Sequence, residues 1–197
     1  KFPFINIFKI KNINLNLSQS FYQKNVLKKK KIDSHLLCDF ISNEFFEASK
    51  KISIKDKKDI ICYNPVKSSI FMDRIIKMNS NIEFIPLRGY STNELIKILS
   101  QSKIYMDFGF HPGVDHLPRE AAILKNCIIT NKEGSAYYQD AVPIDEEFKF
   151  EEKRENLKII KNKVVDIFKN FENNFDCFEN YRKKLQEEEK IFKKQVF

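Results

Sequence analysis

The run Gly109-Phe110-His111-Pro112-Gly113-Val114-Asp115-His116-Leu117-Pro118-Arg119-Glu120 concentrates the chemistry of this chain. It holds two of the four glycines, two of the three histidines and two of the six prolines. Gly109 and Gly113 permit a positive φ or a close backbone approach. Pro118 suits the opening of a helix, where its missing N–H costs little. The amides of that first turn, with Arg119 beside them, would attract a diphosphate. Glu120, one or two residues into the helix, would accept hydrogen bonds from ribose hydroxyls. The alternative is a glycine-bearing loop that only links strand to helix. His111, Asp115 and His116 also carry metal-ligand types, but a closed site needs a fourth ligand and none is signposted, so no metal is expected.

Two other connections carry unusual residues. Asn64-Pro65-Val66-Lys67-Ser68-Ser69 places a cation and two hydroxyls before a helical segment. Arg88-Gly89-Tyr90-Ser91 follows a second apolar run.

These connections need elements to hold them, and the patterning supplies an alternation. Strand-like runs fall at 59–63, 82–87, 103–108 and 127–130, and helical spacing at 69–78, from Leu95 to Leu99, and from Pro118 to about Lys125. Ser91-Thr92-Asn93-Glu94 has the spacing of a capping box. Strands and helices alternating with short connections predict βαβ units: an α/β, Rossmann-like parallel sheet with helices on both faces. In such sheets ligands bind beyond the carboxyl ends of the strands, where the three connections lie. Earlier in the chain, 1–17 reads as strand-like, while 20–31 and 43–50 read as short helices. Later, Leu157, Ile160, Val164, Phe168 and Phe171 form one helical stripe, and Phe175, Phe178, Tyr181 and Leu185 begin another.

With 197 residues, 42% of them hydrophobic, the chain can bury a core. Four Gly and six Pro exclude a collagen-like or turn-dense all-β chain. The net charge of +8 resides in residues 1–58, which carry 13 basic against 5 acidic side chains and include Lys28 to Lys31. No stacking aromatics or reading helix accompany this excess, so nucleic acid is not an expected partner. The lysine run reads as a solvated helix end, or else as a peripheral contact with an anionic membrane or polymer. The scattered cysteines, Cys38, Cys62, Cys127 and Cys177, predict free thiols in a reducing, cytoplasmic setting. His35, in an apolar run, reads as a structural histidine.

Pro86-Leu87-Arg88-Gly89, Ser91-Thr92-Asn93-Glu94-Leu95, the glycine loop, Leu117-Pro118-Arg119-Glu120-Ala121-Ala122 and Asn126-Cys127-Ile128-Ile129-Thr130 together resemble the C-terminal, nucleotide-sugar-binding half of a GT-B glycosyltransferase with a family 4-like pattern. The resemblance implies an end of an N-terminal half and inter-domain segment over 1–58, a donor-binding domain over 59–150, and C-terminal helices over 151–197. It implies that Glu120 is the second glutamate of a Glu-x7-Glu motif and holds the donor ribose. The first glutamate would stand at Pro112 and is absent. His111, Asp115 or His116 would substitute for it, which makes His111 and Asp115 the catalytic candidates. Lys67 matches a basic residue that meets the diphosphate, and Arg88, Gly89 and Tyr90 match a base-contacting loop. Gly113, Arg119 and Ser135 would border the same donor. The substrate implied is a nucleotide-sugar, with a glycan or polysaccharide acceptor and no resident cofactor. Two alternatives stay open: a nucleotide-sugar epimerase of the same fold, and a non-catalytic Rossmann-like module docked on membrane or polymer.

Overall fold

The computed structural model describes residues 14–67 and 69–196. Most of the strand expected over 1–17 lies outside the described residues. Its end, β1 (Leu17–Ser18), pairs in parallel with β2 (His35–Leu36) across helix α1 (Phe21–Lys29). Helix α2 (Asn43–Ser49) then leads into the main sheet.

That sheet has five parallel strands: β3 (Lys58–Tyr63), β4 (Glu83–Pro86), β5 (Ser102–Asp107), β6 (Cys127–Asn131) and β7 (Lys149–Phe150). Their spatial order is β4-β3-β5-β6-β7. Ile61, Cys62, Ile104, Tyr105, Met106, Ile128 and Ile129 are fully buried. Strands covered on both faces read as unbroken apolar runs, which is why they are visible in the sequence.

Three helices connect the strands: α3 (Ile70–Met78), α4 (Thr92–Gln101) and α5 (His116–Ile123). The Ser91–Glu94 capping box is formed, with the Ser91 amide donating to Glu94 at 2.8 Å and the Glu94 amide to Ser91 Oγ at 3.4 Å. Chain direction across the sheet reverses after β4, and right-handed crossovers therefore send α3 to one face and α4 and α5 to the other. α3 packs with α6 (Asn156–Lys169), and α5 packs with both α2 and the long C-terminal helix α8 (Glu179–Val196). The fold is thus α/β, a parallel sheet flanked by helices.

Several local expectations change. α5 begins at His116, two residues before Pro118, so Glu120 lies more than a turn inside the helix. The stripe reaching Phe171 is cut at Asn170, whose φ of −120° and ψ of 47° end α6, and Phe171 opens a separate helix α7 (Phe171–Asp176). His35 is exposed instead of packed, because it sits on the outward side of a two-residue strand. Ile41 and Phe45, before the sheet, and Ile160, Val164, Tyr181 and Leu185, after it, join the same apolar core as the strands. Fully burying a side chain of this size contributes about 1.5–3 kcal/mol. The three segments are therefore held by one core. Among the described residues, no helix is long and apolar enough to cross a membrane.

Candidate functional site

The reversal of strand order falls between β3 and β5, and the loops leaving their carboxyl ends meet there. Gly109, with φ near +156°, lies so close to the first loop that a Cβ would overlap the Lys67 carbonyl. Gly134, with φ of +62°, is pressed in the same way against the His111 carbonyl. His111 and Gly134 form a parallel β-bridge, and the Ser135 amide donates to the His111 carbonyl at 2.8 Å. The Ser135 hydroxyl donates to the Gly113 carbonyl. Asn131 Nδ2 ties Gly109 O at 2.7 Å to the same corner. The glycine loop is thus stitched to the strands beneath it.

Inside this corner stands a chain of charges. His111 is buried, with Nδ1 2.7 Å from Asp115 Oδ2. The Lys67 ammonium sits on the same Asp115 oxygen. Burial works to raise the Asp115 carboxyl, but the hydrogen bonds from His111 and Lys67 outweigh it and hold it below the ordinary range. On the other side of the ring, Nε2 lies 3.4 Å from Thr130 Oγ1 and 3.9 Å from Asp107 Oδ1. Asp107 accepts a 2.8 Å hydrogen bond from the Tyr105 hydroxyl. Burial nevertheless dominates and raises the Asp107 carboxyl. Asp107, His111 and Asp115 bring potential ligand atoms within 4.8 Å of one another. His116, the third member of the set considered from spacing, points elsewhere: Nε2 is 3.3 Å from Asp39.

Asp115 is the N-cap of α5, yet its side chain makes no capping hydrogen bond, because His111 and Lys67 occupy it. Arg119, expected at the diphosphate, is engaged by two carboxylates in this structure. The guanidinium is 1% exposed, 2.6 Å from Asp39 and 2.9 Å from Glu188 of α8. Burial works against its charge, but these two carboxylates outweigh burial and raise it further. Arg119 thus clamps the 34–40 segment and the C-terminal helix to α5. His111 is enclosed as well: with 1% of its side chain exposed, it holds Asp115 through Nδ1.

Glu120 is different. Its side chain is 12% exposed, His116 Nδ1 lies 4.0 Å away, and among the described residues no hydrogen bond satisfies it. Desolvation raises its carboxyl to about 7, despite the opposing charge of Arg119. It is a partly buried acceptor awaiting donors. Arg88, Gly89 and Tyr90 stand exposed on the loop after β4, two strands from the glycine loop, about 10 Å at ordinary strand spacing.

The structure therefore brings together Lys67, His111, Gly113, Asp115 and Ser135, sets Glu120 one turn further along α5, and directs Arg119 away. Sequence reasoning missed Asp107, Tyr105, Asp39 and Glu188. Tyr105-x-Asp107 at the end of a strand was the available signal, since residues two apart share a face. Asp39 and Glu188 offered none.

No family model matches the sequence, and no curated protein matches it either. Among solved structures, the fold is similar to S. aureus TarM, determined as a point mutant in complex with fondaparinux, alpha-GlcNAc-glycerol and UDP. The likeness has a TM-score of 0.69 and 14% identity, and covers 96% of this chain and 44% of that one. This chain thus spans less than half the length of TarM. At that identity the likeness is one of fold alone: a parallel five-stranded sheet flanked by helices.

Proposed function

We propose that this chain is the donor-binding part of a glycosyltransferase that moves a sugar from a nucleotide-sugar to a glycan or polysaccharide acceptor. The observation that carries the reading is Glu120: a partly buried, desolvated carboxyl without a hydrogen-bond partner among the described residues, just over one turn into the helix that follows the glycine loop. A ribose diol would donate to it. The exposed Arg88-Gly89-Tyr90 loop stands at a distance one nucleotide can bridge, and would take the base. The first amides of α5, with Lys67 nearby, would meet the diphosphate and stabilise its charge as it departs. Gly113 and Ser135 shape the wall through their mutual hydrogen bond. His111 and Asp115 serve as positioning residues, with the Asp115 carboxylate, 21% exposed, the member nearer solvent.

The donor reading carries with it the domain division at 58 and 150, a cytoplasmic setting, and acceptor chemistry supplied largely from outside this chain. A second reading, a module without donor chemistry, is favoured by the burial of His111 and Arg119. Its basic first third would then be the docking surface.

Calorimetric titration with UDP-, GDP-, CMP- and ADP-linked sugars separates the two. One donor should bind, and Glu120→Gln should weaken it by about tenfold or more, the loss of a charge-assisted hydrogen bond pair. Because hydroxyl donors favour the ionised carboxylate, binding must lower the Glu120 pKa from about 7. Affinity should therefore rise with pH and level off above 7. Absence of binding by every donor supports the second reading.

A further inference from the structure

We propose that the chain carries a second ligand site, for a small phosphate-bearing anion, at the opposite end of the sheet. A cavity of about 410 Å³ opens there, beneath the amino ends of β3 and β5 and against the corner where α6 turns into α7. Lys55, Lys57, Lys103 and Lys169 line it, against a single lining acid, Glu172. Its size is that of an ordinary small-molecule pocket.

Two of the cations are built into the wall. Lys57 is 6% exposed, and its ammonium donates to the carbonyls of Leu99 at 3.0 Å and Ser102 at 2.7 Å. Among the described residues no carboxylate pairs with it. Burial lowers the Lys57 ammonium to about 7, and an anion in the cavity that it lines would favour its charged form. Lys103 donates to the Phe168 carbonyl at 3.0 Å and lies 5.4 Å from the Phe171 ring centroid, so it too is fixed in place. Asp59, 2.6 Å away, answers its charge at the margin. Lys55 and Lys169, both exposed, form the rim. With Lys103 matched by Asp59, the exposed Lys55 and Lys169, joined by Lys57 when an anion restores its charge, face one glutamate.

The excess selects the ligand. One carboxylate cannot meet three lysines arriving from 55–57 and from the α6–α7 corner. A phosphate group offers several oxygens to ammonium point charges and carries more than one negative charge. The site lies at the amino ends of the strands, opposite the glycine loop, and does not depend on what binds at Glu120.

The test uses the whole chain in calorimetric titrations at fixed ionic strength, with inorganic pyrophosphate as the probe. A site that persists in Lys67→Ala should appear. The double variant Lys55→Ala/Lys169→Ala should weaken it at least about tenfold, or ~1.4 kcal/mol. Both residues are exposed, so its melting temperature without ligand should match the parent. Lys67→Ala, at the other end of the sheet, should leave the affinity unchanged. Tighter binding of a sugar 1-phosphate than of inorganic phosphate would assign an organic ligand, and the reverse order an inorganic one. Either order supports the site. Absence of binding at millimolar pyrophosphate overturns it, as does binding lost in Lys67→Ala but retained in the rim variant. Citrate binding as tightly as pyrophosphate overturns the phosphate assignment.

Discussion

Glu120 should make the unliganded protein less stable as pH rises, and Glu120→Gln should remove that penalty. The folded chain holds the carboxyl at about 7, against an ordinary value of 4.5, and the side chain is 12% exposed. A folded pKa above the unfolded one means that the folded state binds the proton more tightly. The stability linked to this group is then present in full below about pH 4.5 and is lost as pH rises through 7. The two values differ by about 2.5 units at 1.36 kcal/mol each, so the loss is ~3 kcal/mol by pH 8. Glutamine keeps the shape and stays neutral throughout. The variant should match the parent near pH 4 and exceed it by ~3 kcal/mol at pH 8. For a chain of this length that difference corresponds to a melting temperature higher by roughly 6–12 °C. Urea unfolding of both proteins across pH 4–9 measures it. A difference independent of pH, or a variant less stable at pH 8, would refute the desolvation argument. A gain in stability together with loss of nucleotide binding would mark Glu120 as kept for its ligand.

Three further outcomes follow from the geometry. Glu188→Ala leaves the Arg119 guanidinium buried with only Asp39 opposite, and should cost about 3–5 kcal/mol in denaturant unfolding, while Glu189→Ala, on the exposed Glu189–Lys193 pair of the same helix, should cost under about 1 kcal/mol. Gly134→Ala forces a left-handed backbone and a Cβ onto the His111 carbonyl, so it should destabilise by more than the roughly 1–3 kcal/mol of backbone strain alone, read as a lowered melting temperature. Burial pushes the Cys62 and Cys127 thiols up to about 11 and about 12, so a thiol reagent at pH 8 should modify exposed Cys177, then half-buried Cys38, and spare the other two until the chain unfolds.

The sheet was legible because its central strands are buried on both faces and therefore spell continuous apolar runs, and because Ser91 and Glu94 announce α4 with their own side chains. β7 was not, since two residues carry no period and only pairing of Lys149 with Thr130 and Phe150 with Asn131 defines it. The start of α5 was displaced because Pro118 drew attention from Asp115, itself a favoured N-cap type. The glycine loop stood out by composition alone. The direction of Arg119 did not, because its partners lie 80 residues earlier and 69 residues later in the chain, and only the packed fold brings them together. Burial of His111 was hidden for the same reason: it comes from tertiary packing, of which the backbone bridge to Gly134 is one part.

The His111–Gly134 bridge has a kinetic consequence. It extends the sheet by one rung into what would otherwise be a flexible flap, so the loop's backbone entropy is already spent when the protein folds. A ligand arriving at this corner would meet a rim that needs no ordering, and its affinity would reflect direct contacts almost undiminished. Association should then proceed in one phase whose rate grows linearly with ligand concentration, without the plateau that a closing lid imposes.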